Sequence, residues 1–162
     1  MNDYERLIRD FCALSRLGDH EAIGRGAPLD VGGITCSITA SRYDDANALV
    51  LYCEFGAVPS GRESAIYEEL LVQNFVGAPD SGVMFGFSPV ARNVICIQQL
   101  RVRDVTAQRL VDILHHLSEK AGEWRRTYFL KQGDAAGQRP QLSVPSAATR
   151  ALLGGARGLK AR

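Results

Sequence analysis

Two pairs of strand-like segments restrict what this 162-residue chain can fold into. In the first pair, LDVGGITCSITASRY alternates Ile34, Cys36 and Ile38 with hydroxyl residues, and the turn sequence DDAN leads to ALVLYCEFG. In the second pair, SPVARN joins GVMFGF to NVICIQQL. Apolar residues that recur with a period of two are typical of half-buried strands, and short turn-rich connections are typical of hairpins. The sequence therefore predicts a mainly antiparallel sheet.

Three amphipathic segments surround these strand pairs. The first, NDYERLIRDFCALSRLG, has apolar residues at spacings of three and four and ends at Gly18. The second contains Ile66, Leu70 and Leu71, and the third begins at Thr106 or Asp104 and carries a long apolar stripe that reaches Trp124. These patterns predict helices. The predicted order is α-β-β-α-β-β-α, an α+β fold in which helices flank a twisted, mainly antiparallel sheet.

The charge distribution divides the chain into two parts. Residues 1–130 carry 13 Lys/Arg and 17 Asp/Glu, a net charge of −4, whereas residues 131–162 carry six and one, a net charge of +5. The pattern of apolar residues also stops after Leu130, so we expect a single domain over 1–130 and a basic, largely flexible tail over 131–162. An acidic domain argues against nucleic acid as the partner.

The sequence also indicates where the protein resides. No apolar run approaches the roughly 20 residues that span a membrane, and the N-terminus MNDYERLIRD lacks the basic and apolar regions of a signal peptide. The four cysteines are scattered among apolar residues without metal-binding spacing. We therefore expect a cytoplasmic protein without membrane insertion, in which the cysteines are reduced core residues rather than a disulfide framework.

No catalytic, metal or cofactor site is predicted. Asp112, His116 and Glu119 or Glu123 could share a helix face at ligand spacing, but the interpretation we favour is a solvated face of a long amphipathic helix. The sequence has no nucleophile-elbow, Walker or dinucleotide-binding motif. We expect a protein that is not an enzyme.

Both strand pairs are apolar on more than one face. Leu49–Tyr52 and Val83–Phe85 place apolar side chains at consecutive positions. Strands of this kind are covered on both sides, either within the monomer or by another chain. The pattern alone leaves both readings open: a sheet buried in the monomer, or a subunit interface with an exposed apolar groove for a partner.

Four segments in this order resemble the CesT/Tir chaperone family, the class I chaperones of bacterial type III secretion. SAIYEELLVQNF is similar to the family's second helix, in which a leucine pair is followed by an Asn at the helix end. The strand segment ALVLYCEFGAVPS precedes that helix, the hairpin GVMFGFSPVARNVICIQQL follows it, and DVTAQRLVDILHHLSEKAGEW resembles the long last helix with its Trp. The resemblance covers about residues 1–128.

The resemblance implies a function. Proteins of this family are homodimers that bind one secreted effector near its N-terminus, keep it competent for secretion and deliver it to the export apparatus without ATP. The resemblance also implies that the protein is located in the bacterial cytoplasm, and it adds the secretion ATPase as a further candidate partner. The alternative is a non-secretory dimeric binding or regulatory module of the same fold. The basic tail could dock on an acidic surface of the export machinery or the membrane, or be a solvated extension.

The resemblance also implies two sets of site residues. The second helix and the following strand are expected to form the dimer interface, through Ile66, Leu70, Val83, Phe85 and Phe87. The first helix and first hairpin are expected to form the effector-binding groove, through Leu14, Leu17, Ile34, Ile38, Leu51 and Cys53. The alternative for the groove residues is that they belong to the hydrophobic core.

Overall fold

Five antiparallel strands and four helices make up the computed structural model, which describes residues 2–41 and 47–130, with only the backbone for 78–81. The elements are α1 (Asp3–Ser15), α2 (His20–Gly24), β1 (Leu29–Val31), β2 (Ile34–Ala40), β3 (Ala48–Gly56), α3 (Glu63–Ser81), β4 (Val83–Ser88), β5 (Asn93–Arg101), a 3-10 turn (Val102–Asp104) and α4 (Ala107–Thr127). The strand order is β1-β2-β3-β5-β4. The tail 131–162 and most of the DDAN turn lie outside the described residues.

The predicted α+β architecture is confirmed, and the structure adds two short elements to it. The side chain of Asp19 accepts a hydrogen bond from the Ala22 N–H at 2.9 Å, which caps the five-residue α2. Gly32 and Gly33 have φ angles of +60° and +80°, so they form a tight turn that separates β1 from β2. The alternating pattern had suggested one strand here, because each new element is too short to have a recognisable period.

The helices cover one face of the sheet. α4 packs against β3 and β2, and α1 packs against α4. Alternate side chains on β2, β3 and β5 lie under these helices, where they are buried: Cys36, Ile38, Leu51, Cys53, Phe55, Val94 and Cys96. This layer is the hydrophobic core, and α1 and α4 supply its other side with apolar residues at helical spacing.

All four cysteines are reduced and buried, as predicted. Cys36 and Cys53 are opposed on β2 and β3, and their Sγ atoms are 2.7 Å apart. The hydrogen bond between the two thiols lowers the pKa of Cys36, and the same bond together with burial raises the pKa of Cys53. Burial raises the pKa of the Cys96 thiol to about 12. The three thiols therefore fill the core as small hydrophobic groups.

Aromatic packing fixes the C-terminal end of α4 on the sheet. The Trp124 ring lies 5.9 Å from the Phe55 ring and 5.0 Å from the Tyr128 ring. Arg125 donates hydrogen bonds to the backbone carbonyl groups of Phe55 and Glu54, at 2.7 and 3.2 Å.

At the other end of α4, the Arg109 N–H donates to the Thr106 hydroxyl, which confirms Thr106 as the cap.

Tyr4→Phe is expected to change how stability depends on pH. The Tyr4 hydroxyl donates to the Gly24 carbonyl at 2.7 Å, and burial raises its pKa to about 12. An unfolded tyrosine has a pKa of about 10, so this stabilisation is complete below about pH 10 and is lost as the pH rises to 12. The loss amounts to roughly 2–3 kcal/mol, since each pKa unit corresponds to about 1.4 kcal/mol.

Urea unfolding of the wild type and the variant across this pH range measures the effect. Above about pH 10, the unfolding free energy of the wild type should fall relative to that of the phenylalanine variant, because only the wild type has this hydroxyl proton to lose. A constant difference between the two proteins up to about pH 12 would contradict the assignment.

No helix in the described part of the chain combines the length and hydropathy that crossing a membrane requires.

Candidate partner-binding surfaces

The second face of the sheet is open. Apart from the small Ala48, which is 3% exposed, none of the side chains that it carries on the described strands is buried, in contrast to the residues under α1 and α4. Tyr52, Ile97 and Met84 are paired in one row across β3, β5 and β4, and Tyr52 and Met84 are 36% and 50% exposed. The apolar residues on both strand faces thus have two different environments: one face is closed by the chain's own helices, and the other is accessible.

The helix α3 is apolar on two sides. Ile66 and Leu70 face inward and are buried in the core, and the Tyr67 ring packs edge-on against Phe87 at 5.9 Å. The opposite side carries an exposed patch, the α3 patch, which consists of Leu71, Val72, Phe75 and Val76. Phe75 is 85% exposed and Leu71 is 67% exposed. An exposed apolar patch of this kind on a helix is typical of a surface that contacts another chain.

Asn74 holds α3 against the edge strand β4. Its side-chain amide donates to the Phe85 carbonyl at 2.9 Å, and its side-chain oxygen accepts from the Phe85 N–H at 2.6 Å. These are hydrogen bonds that a neighbouring strand would otherwise make, so Asn74 blocks strand addition at the middle of β4. It also fixes the rotation of α3, which directs the α3 patch away from the core.

The expected interface residues divide between the core and the surface. Ile66 and Leu70 are 0% and 6% exposed, so their side chains cannot reach a second subunit in this conformation. Val83 and Phe85 are half-buried, and Phe85 packs on Phe55 at 5.3 Å. Phe87, at 41%, is the exposed member of the set. The prediction for Ile66 and Leu70 is therefore revised, because their side of α3 closes the monomer core.

The sequence pattern missed the α3 patch for a definable reason. The sequence pattern of the second helix was defined by Ile66, Leu70 and Leu71, and Phe75 and Val76 were not assigned to it. The helix instead continues to Ser81 and ends before Gly82, whose φ of +62° suits a left-handed C-terminal position. The spacing of Leu71 to Phe75 and of Val72 to Val76 is one helical turn, and this second stripe is the signal that identifies the patch.

The expected groove residues divide in the same way. Leu14 and Leu17 in and after α1 are 50% and 36% exposed. Ile34, Ile38, Leu51 and Cys53 have at most 3% of their surface exposed and lie beneath the helices. The prediction is revised for these four residues, which belong to the core, as the stated alternative had it. Their side chains lie on the face of β2 and β3 that α4 covers within the monomer.

The described residues contain no group of three or more His, Cys, Asp or Glu side chains arranged to bind a metal ion. In α4, Gln108 donates to the Asp112 carboxylate at 2.9 Å, and the Ser118 hydroxyl donates to the His115 carbonyl at 2.8 Å. Asp112 and His116 are exposed on the helix surface. Their arrangement fits the solvated helix face that the sequence also allowed.

The accessible row of Tyr52, Ile97 and Met84 and the exposed α3 patch are typical of an α+β protein that binds other polypeptides. The profile described as the Tir chaperone protein (CesT) family matches residues 32–125, which is more than half of the chain. The protein belongs to this family of chaperones. Curated protein sequences gave no significant match.

Solved structures share the fold at low sequence identity. A chain of the complex between the type III secretion chaperone SycH of Yersinia pestis and a stable fragment of YscM2 superposes with a TM-score of 0.58 at 17% identity, covering 74% of this chain and 98% of that one. A chain of the HopA1–SchA chaperone–effector complex gives 0.59 at 12%, covering 76% and 94%. A chain of the ExsC–ExsE complex gives 0.59 at 19%, covering 80% and 94%.

Proposed function

We propose that this protein is a type III secretion chaperone of the bacterial cytoplasm that acts as a homodimer. It binds the N-terminal region of a secreted effector, keeps that region competent for secretion and delivers it to the export apparatus without ATP. The observation that carries the proposal is the accessible apolar surface on a monomer of a chaperone family: the row Tyr52, Ile97 and Met84, and the α3 patch.

Such surfaces suit an unfolded client because they require little from its sequence. An extended segment buries its apolar side chains on the surface, and it loses conformational entropy only when it binds. That entropic cost lowers the affinity per unit of buried area, so the client can be released without an energy source. The HopA1–SchA structure, described as a chaperone–effector complex, supports the assignment.

The α3 patch is the proposed centre of the dimer interface. Its side chains are the largest set of exposed apolar residues along one described helix. A twofold interface brings the same patch of both subunits together, so each apolar residue is buried twice per dimer. Leu14 and Leu17 remain as the proposed effector contacts in the first helix region.

Affinity purification from the native bacterium under secretion-inducing conditions tests the function. We expect one secreted protein to co-purify at two chaperones per effector, and limited proteolysis should leave only its N-terminal region protected. The effector should also fail to be secreted, or be degraded, when the chaperone gene is deleted. Recovery of the dimer alone, or with a folded regulator that stays in the cell, would support the non-secretory binding module instead.

A further inference from the structure

A second groove lies between α4 and the end of β5, away from Leu14 and from the α3 patch. This α4–β5 groove has a volume of about 480 Å³. Its apolar floor consists of Val83, Leu100, Val105 and Ile113, which are half-buried, together with the buried Leu117. The four half-buried residues of the floor remain partly exposed to water when the groove is empty.

Basic side chains border the groove along its length. Arg109, His116 and Lys120 recur along α4 at spacings of seven and four residues, so they follow one helix face, and Ile113 lies between them. Arg101 borders the groove from the end of β5. The N-terminal turn of α4 adds partial positive charge at the same end, since helix dipoles are positive at their N-termini.

Two acidic residues, Asp104 and Asp112, also line the groove, and each contacts a neighbouring side chain. Asp104 lies 3.8 Å from Arg103, which is outside the groove, and Asp112 accepts a hydrogen bond from Gln108 at 2.9 Å. Among residues 2–41 and 47–130, no described carboxylate lies within salt-bridge distance of Arg101, Arg109 or Lys120. The groove lining thus carries three Arg/Lys side chains and two Asp side chains, a net charge of +1 beside an apolar floor, whereas residues 1–130 carry a net charge of −4.

We propose that the α4–β5 groove binds an acidic segment of the secreted client, with carboxylates against Arg101, Arg109 and Lys120 and apolar side chains on Leu100 and Ile113. The inference deepens the proposed function, on which it rests. A local positive groove in an acidic domain selects an acidic peptide over a long polyanion, which the rest of the surface repels. A second copy is a poorer occupant, because a twofold contact at this groove would place like charges together.

Fluorescence anisotropy with a short labelled peptide that alternates Glu with Leu tests the inference directly. The same peptide with Lys at each Glu position is the matched probe. We expect the acidic peptide to bind more tightly than the basic one, and Arg109→Glu with Lys120→Glu to weaken its binding about tenfold or more. The affinity should also fall as salt rises, because the Debye length is only about 8 Å at physiological ionic strength.

The control is the double variant Arg9→Glu with Arg126→Glu. It makes the same change in net charge at two exposed helical positions outside the groove, and it keeps the same basic segment 131–162. The control should bind the acidic peptide like the wild type. Equal weakening in both double variants would overturn the inference, because it would show nonspecific charge attraction. A groove variant that is monomeric where the control is dimeric would also overturn it, because the groove would then belong to the subunit interface.

Binding of the natural client separates this inference from the proposed function. If the client from the purification binds the wild type and the Arg109→Glu/Lys120→Glu variant equally, the groove assignment fails and the chaperone function stands. If no secreted client binds the wild type, the proposed function fails, whereas selective binding of the acidic peptide would still establish the groove.

Discussion

Phe75→Asp is expected to give a folded monomer. Phe75 is 85% exposed in the single chain and belongs to the α3 patch, so the monomer loses no packing when it is replaced. In the proposed dimer, the new carboxylates would lie near each other and near apolar groups of the partner. Because the interface is twofold, the free-energy cost of burying a carboxylate applies once for each subunit. Light scattering should show the mass of one chain, and the circular dichroism spectrum should remain that of the wild type.

Leu70→Asp is the matched control, one residue before the patch on the same helix. Leu70 is 6% exposed and lies in the core cluster, so a carboxylate there costs about 4 kcal/mol or more in unfolding free energy. We expect this variant to unfold or aggregate rather than to form a folded monomer. A stable dimer of Phe75→Asp at micromolar concentration would remove the α3 patch from the interface.

Leu51→Asp and Leu14→Asp should separate the core from the effector surface. Leu51 has no exposed surface and lies at the centre of β3 under α4, so its replacement by a charge should abolish the native fold. The expected cost of about 4 kcal/mol or more is a large part of the 5–15 kcal/mol that typically stabilises a domain. Chemical denaturation and circular dichroism measure this loss.

Leu14→Asp is expected to behave in the opposite way. Leu14 is 50% exposed on α1, so the change in unfolding free energy should stay within about 0.5 kcal/mol. Client binding should weaken, most clearly when Leu17→Asp is added, because both residues present apolar surface in the same region. Unchanged client affinity in the folded double variant would exclude this region from the effector site.

Local pattern was sufficient to predict most of the elements. Ile34, Cys36 and Ile38 alternate with hydroxyl residues in β2, and Thr106 precedes a long apolar stripe in α4, as in the structure. These signals depend only on the period of a strand or helix and on local capping bonds. The central pairing of β3 with β5 was not predicted, because the strands are separated by α3 and β4 and their register depends on the packing of the whole sheet.

The candidate sites were harder to predict than the elements. Leu70 and Leu71 are adjacent and equally apolar, but one closes the core and the other is exposed. Hydrophobicity shows that a side chain favours burial, and it does not specify which surface will bury it. The same limit applies to β3, where Leu51 and Tyr52 face opposite sides of the sheet.

The sequence by itself determined the α+β class, the positions of the longer helices and strands, and the family resemblance, because these depend on residues close together in the chain. Only the tertiary structure decided which apolar faces remain accessible. The covering of one sheet face by α1 and α4, the two hydrogen bonds between Asn74 and Phe85, and the approach of Arg101 to the α4 stripe all join distant residues. Those contacts form only when the helices pack on the sheet, so burial and surface charge are properties of the packed chain.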